Sequence, residues 1–251
     1  MEMVLLTALG VGGATLVGSI IGFFFKNISH KFSDRILSFA AGVMLAAAVF
    51  GLVMPSLEYG GEYGIFVTIL GVFAGALLLN LMDKALPHLH RLSGVDIEEH
   101  PEKSGQINKV ILFVMAIAIH NLPEGIAAGV GFGTGNVGEA MAIAGGIALQ
   151  NIPEGMVIIA PMLASGFGKR RTFVAALLTG VVEVVGTLLG YFAVSISNAI
   201  LPFALAFAGG TMLYVISDEM IPETHHNGDR FVTYALLMGF SLMLLIDFYL
   251  G

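Results

Sequence analysis

Apolar residues in this chain neither alternate nor recur on a single helical face. They run in blocks of about twenty, parted by short clusters of charge, glycine and proline. That is roughly the length an α-helix needs to cross a hydrocarbon core of about 30 Å. Eight such blocks predict helices at 3–25, 35–57, 63–83, 108–131, 137–164, 172–195, 200–221 and 231–250. Helices are required because backbone groups in lipid have no water to bond and must pair internally. The pattern predicts an all-α polytopic membrane protein, a single domain over residues 1–251.

Composition agrees: 57% of residues are apolar and only 12% are charged, with a mean hydropathy of +0.90. The first block is read as a spanning helix, because Glu2 stands where a signal peptide has basic residues and the apolar run exceeds a usual signal core. There is no cysteine, so a bound metal would have to use imidazole, carboxylate, amide or water. A net charge of −7 and the lack of a basic stripe argue against nucleic-acid binding.

The charges orient the spans. With the amino terminus outside, the connections between helices 1–2, 3–4, 5–6 and 7–8 are cytoplasmic. They hold Lys26, Lys31 and Arg35, then Lys84, Arg91, Lys103 and Lys109, then Lys169, Arg170 and Arg171, and finally Arg230. These are all 11 Lys and Arg residues of the chain. Such segregation follows the positive-inside rule and predicts a cell-membrane protein with both termini outside. Glu2, Glu58, Glu62 and Glu139 are left outside. They either gather cations or simply reflect the exclusion of basic residues. The connection at about 87–107 carries His88, His90 and His100 and reads as a cytoplasmic loop whose histidines are loose metal contacts or merely solvated.

Two internal repeats are visible. An offset of 168 aligns Gly18 and Gly22 with Gly186 and Gly190, then residues 39–45 (FAAGVML) with 207–213 (FAGGTML), and nearly aligns Pro55 with Pro222. Five spans intervene, so the second copy must insert upside down. Helices 1–3 and 6–8 are expected to form an inverted repeat around helices 4–5, a 3+2+3 arrangement that puts a substrate site near the midplane. The second repeat is short: His120-Asn-Leu-Pro-Glu-Gly125 and Gln150-Asn-Ile-Pro-Glu-Gly155 stand 30 residues apart in consecutive spans.

In each motif the first and fifth residues share one helical face, so His120 with Glu124, and Gln150 with Glu154, form two-ligand clamps. Pro123 and Pro153 remove helix hydrogen bonds and are expected to kink both helices. Gly125 and Gly155 are expected to let helices 4 and 5 approach each other. An ionised acid at bilayer depth costs about 2.5 kcal/mol or more, and no Lys or Arg lies inside a span to offset it. A bound divalent cation beside an imidazole and carboxamides supplies that charge better than protons do. Glu183 in helix 6 is a third buried acid, and Thr15 occupies its place in the first repeat. Asn80 and Asp83, with Asp218, Glu219 and Glu223, stand at the inner ends of helices 3 and 7. They line an exit path or simply sit at the interface.

At these residues the sequence resembles the ZIP family of zinc- and iron-regulated transporter-like proteins, particularly its prokaryotic branch. Eight helices, outward termini, a His-containing loop between helices 3 and 4, and paired N-x-P-E-G motifs carry the resemblance. It implies one metal site at His120, Glu124, Gln150 and Glu154, and a second at Asn121, Asn151 and Glu183 sharing the two bridging glutamates. Many members have His at the position of Gln150 and others Asp at that of Asn151. The resemblance further implies zinc uptake, with cadmium, iron or manganese as other cargoes, through an elevator-like carrier that dimerises. In it the metal leaves toward His88, His90 and the acidic end of helix 7. An intramembrane metal hydrolase using the same ligands is the rival reading, though no H-E-x-x-H is present. A metal sensor, a weaker third reading, lacks an output domain.

Overall fold

The computed structural model describes residues 1–24, 29–85, 103–226 and 228–251. Eight helical spans run through them: α1 (Glu2–Phe24), α2 (His30–Tyr59), α3 (Gly64–Ala85), α4 (Lys103–Gly131), α5 (Val137–Ala164), α6 (Lys169–Ile196), α7 (Asn198–His225) and α8 (Phe231–Leu250). Each coincides with an apolar block of the sequence, though α4 begins at Lys103 rather than near 108. Among the described residues, seven helices are long and apolar enough to cross a membrane. The sequence of α4 adds an eighth uncharged run at 110–119.

α3 and α8 turn large apolar side chains outward, with Phe66, Phe73 and Phe248 each at least 70% exposed. Such a surface belongs against lipid, not water. The interior is built from pairs. α1 crosses α6, α5 lies along α1, and α4 lies along α6; α2 packs on α8 and α3 on α7. At the α1–α6 crossing, a Cβ on Gly12 would strike the Gly180 carbonyl and a Cβ on Gly180 would strike that of Gly12. Only glycine on both sides permits this approach.

Two ends of the bundle can be told apart. At one, Arg35 of α2 pairs with Asp229 at 2.8 Å and stacks over the Phe231 ring, tying α2 to the α7–α8 connection. At the other, the Tyr59 hydroxyl donates to the Thr134 carbonyl in the α4–α5 connection at 3.2 Å. Between this second end and the middle lies a buried apolar layer that includes Met44, Leu52, Val130, Ile143, Ile147, Leu205 and Met212.

The π-helical turns at Ala47–Val53 in α2 and Ile216–Met220 in α7 were not legible in the sequence. Met54 N–H donates to the Val49 carbonyl and Ile221 N–H to that of Ile216, one residue beyond α-helical spacing. Pro55 and Pro222 follow immediately and have no N–H. Widening the turn before each proline lets the helix continue instead of breaking.

Candidate metal centre

α4 and α5 run without interruption through Pro123 and Pro153. They carry the two repeated motifs past the middle of the bundle. His120, Asn121, Glu124, Gln150 and Asn151 are all buried, and Glu154 is half-buried. Glu183 joins them from α6 with no exposed surface. Glu124 lies within electrostatic reach of Glu154 and Glu183, and Glu154 within reach of His120.

Gly125 and Gly155 act differently from the expectation. A Cβ on Gly125 would collide with the Glu183 carbonyl of α6, and one on Gly155 with the Thr15 carbonyl of α1. The motif glycines therefore let α6 close on α4 and α1 close on α5. They do not bring α4 and α5 together.

That close packing assembles a hydrogen-bond network around Glu183. Its Oε1 accepts from the Thr15 hydroxyl at 2.6 Å and from the Asn121 amide at 2.5 Å, and its Oε2 accepts from the Asn151 amide at 2.7 Å. Asn151 also donates to the Val11 carbonyl, and Ser19 donates to the Gly155 carbonyl at 3.1 Å. Both asparagines have turned their nitrogens to the carboxylate. Their Oδ1 atoms are left buried without a partner, as are Glu124 Oε2 and Gln150 Oε1, while the Gln150 amide lies against the Glu124 carboxyl.

Leaving a buried polar atom unsatisfied costs about 1–3 kcal/mol. The atoms left so here all belong to the two motifs. Four of them are oxygens, the donor chemistry of a hard or borderline cation. Among the described residues, no three His, Asp or Glu side chains are close enough by themselves to hold a metal. An ion here would need the carboxamides of Asn121, Gln150 and Asn151 as well.

The weaker candidates separate. Glu219, carried by the π-helical turn of α7, puts Oε1 3.0 Å from Nε2 of His120 and so stands beside the centre. Asp218 and Glu223 are exposed on the same end of α7, where Glu223 lies near Asp34 of α2 and near Glu219. Asn80 instead donates to the Tyr214 hydroxyl at 3.0 Å. His88 and His90 lie outside the described residues, as does the side chain of Asp83. Thr15, buried beside Glu183, is the member of this network that the motifs do not single out. For Thr15 the signal was available: it is the residue that the 168 offset pairs with Glu183, and the two side chains bond across the α1–α6 crossing.

Comparison with known proteins gives the same direction. The chain is 40% identical to zinc transporter GufA of Myxococcus xanthus over 98% of both chains. It is 37% identical to zinc transporter ZIPB of Bordetella bronchiseptica, over 95% of this chain and 78% of that one. Zinc transporter ZupT of Chlorobaculum parvum shares 32% identity, over 94% and 92% of the two chains. The model of the ZIP zinc transporter family matches residues 87–247, which hold both motifs, Glu183 and the acidic turn of α7, and the chain belongs to that family.

Proposed function

We propose that this protein carries Zn²⁺ across the cell membrane into the cytoplasm, through a site held by His120, Glu124, Gln150 and Glu154. Asn121, Asn151 and Glu183 form an adjoining second position. Fe²⁺, Cd²⁺ and Mn²⁺ fit the same mixed nitrogen and oxygen donors. The reading rests chiefly on the buried oxygens of Asn121, Glu124, Gln150 and Asn151, which two repeated motifs supply and which have no hydrogen-bond partner. The zinc assignment draws on the names of the relatives.

Alternating access is the mechanism. The buried apolar layer closes the centre toward the end bearing Glu58, Glu62 and Glu139. Toward the other end, Glu219 keeps 30% exposure and Asp218 and Glu223 are open. With the basic connections in the cytoplasm and both termini outside, this is the inward-facing state. Metal then leaves His120 by way of Glu219 toward Glu223.

Helices α1–α3 and α6–α8 are read as inverted repeats around α4–α5. Supporting this, α5 sits on α1 as α4 sits on α6, and α2 meets α8 as α7 meets α3. The π-helical turns fall at matching places in α2 and α7. The lipid-facing aromatic surfaces of α3 and α8 offer a face for a homodimer.

Reconstituted in sealed liposomes, the protein is expected to accumulate labelled Zn²⁺, and Glu124→Ala to abolish uptake while the protein stays folded. Undiminished uptake by that variant would sink the assigned site.

A further inference from the structure

Away from the metal centre, a groove of about 520 Å³ opens between the first half of α4, the end of α5 and the start of α6. Val114 and Met115 form one wall, Met162 and Phe167 a second, and Val174, Ala175 and Leu178 the floor along α6. Arg170 and Arg171 stand at its mouth. We propose that this groove binds one anionic phospholipid, with its phosphate at Arg170 and Arg171 and an acyl chain along Val174 and Leu178.

Three observations select that occupant. The first is charge: Lys169, Arg170 and Arg171 follow one another, and no Asp or Glu occurs between Glu154 and Glu183. Among the described residues none of these three cations forms an ion pair, whereas Arg35 is held by Asp229. Basic residues beside an apolar cleft at the edge of the bilayer are the recognition chemistry for acidic lipid headgroups.

The second is amphipathic order. Polarity is confined to the mouth, and the walls below are apolar, so a ligand must be anionic at one end and hydrocarbon at the other. A soluble anion leaves the walls unused, and a zwitterionic lipid brings an ammonium against the arginines. The third is continuity with the bilayer. Met115, Val174 and Leu178 are 45%, 43% and 58% exposed, and farther along α6 Val181 and Val185 are exposed as well. From Arg171 to Leu178 the helix rises about 10 Å, within the roughly 15 Å of acyl depth in one leaflet.

The start of α6 is also uncapped: Gly168 offers no side chain to its first N–H groups. A phosphate there would meet backbone donors as well as the two guanidinium groups.

The site does not depend on which metal is carried, or on the assignment of the metal ligands. It is tested on the purified full-length protein, exchanged into nanodiscs of defined phosphatidylglycerol and phosphatidylcholine content and released for native mass spectrometry. One phosphatidylglycerol is expected to stay bound in preference to phosphatidylcholine. The R170Q/R171Q pair is expected to weaken retention roughly 30-fold, at about a factor of five for each cation near the surface. Ala175→Phe, which fills the floor and leaves both arginines in place, is expected to weaken it as well. Lys84→Gln, which removes a cation at the end of α3, is expected to leave retention unchanged. Equal retention of the two lipids, unchanged retention in the arginine pair, or an equal loss with Lys84→Gln would each overturn the site. Zinc uptake by the variants reports separately on transport.

Discussion

Two alanine substitutions in one helix should move stability in opposite directions. Gly145 and Gly155 both lie inside α5, and replacing glycine by alanine in a helix interior is worth about 1 kcal/mol in backbone preference. A Cβ on Gly145 meets nothing within 4 Å, so Gly145→Ala should keep that gain. On Gly155 the new methyl falls on the Thr15 carbonyl, with the Ser19 nitrogen at 3.0 Å. Both obstacles are backbone of α1, so no side-chain rotation relieves them. The helices must part, at a cost of about 1–3 kcal/mol for forced backbone displacement. Parting α1 from α5 also strains the bond from Thr15 to Glu183 at 2.6 Å, a hydrogen bond to a carboxylate worth about 1.5–3 kcal/mol. The net loss for Gly155→Ala is about 2–5 kcal/mol. Thermal unfolding in detergent, followed by far-ultraviolet circular dichroism or by aggregation, compares the two variants directly. If Gly155→Ala proved as stable as Gly145→Ala, the close α1–α5 contact that builds the Glu183 network would be wrong.

Other perturbations reach the site by different routes. Thr15→Val removes one of three donors to the Glu183 carboxylate and should cost about 1.5–3 kcal/mol in unfolding; a neutral result would show that the bond carries no weight. Glu219→Ala removes the carboxylate beside His120 and should slow passage of zinc along the inner path in both directions, so uptake falls while equilibrium binding changes little. Outside the membrane, the Phe231 backbone N–H and then the Arg35 guanidinium hold the Asp229 carboxyl below its usual range. A carboxyl lowered on folding stabilises the fold above its unfolded value, near 3.9, and loses that contribution as the pH falls through its lower folded value. The stability difference between the native protein and Asp229→Asn should therefore be present at neutral pH and vanish in strong acid. A difference that grew with acid would contradict the assignment.

Much of this was readable beforehand, for identifiable reasons. Lipid forces helices and fixes their length, so each of the eight apolar blocks coincides with a helical span. The chemistry was legible because buried acids without buried bases are costly: Glu124, Glu154 and Glu183 stood out before any geometry was known. What the sequence hid depends on who sits opposite whom. Gly125 and Gly155 face α6 and α1, a choice set by helix packing and invisible in the motifs themselves. Glu219 lay in a span end with Asp218 and Glu223, and only the widened turn before Pro222 singles it out by turning it to His120. The same turn in α2 has Gly51 at the place related to Glu219 by the 168 offset, so the two halves share backbone geometry and differ in charge.

Cation binding among the side chains of the two repeated motifs is what the proposed function stands or falls on. Crystals of the protein soaked in Zn²⁺ and measured at the zinc absorption edge locate that cation. An anomalous peak is expected between α4 and α5, within bonding distance of His120, Glu124, Gln150 and Glu154, with a weaker one beside Asn121, Asn151 and Glu183. Anomalous density confined to other residues, with these side chains bonded only to one another, would contradict it.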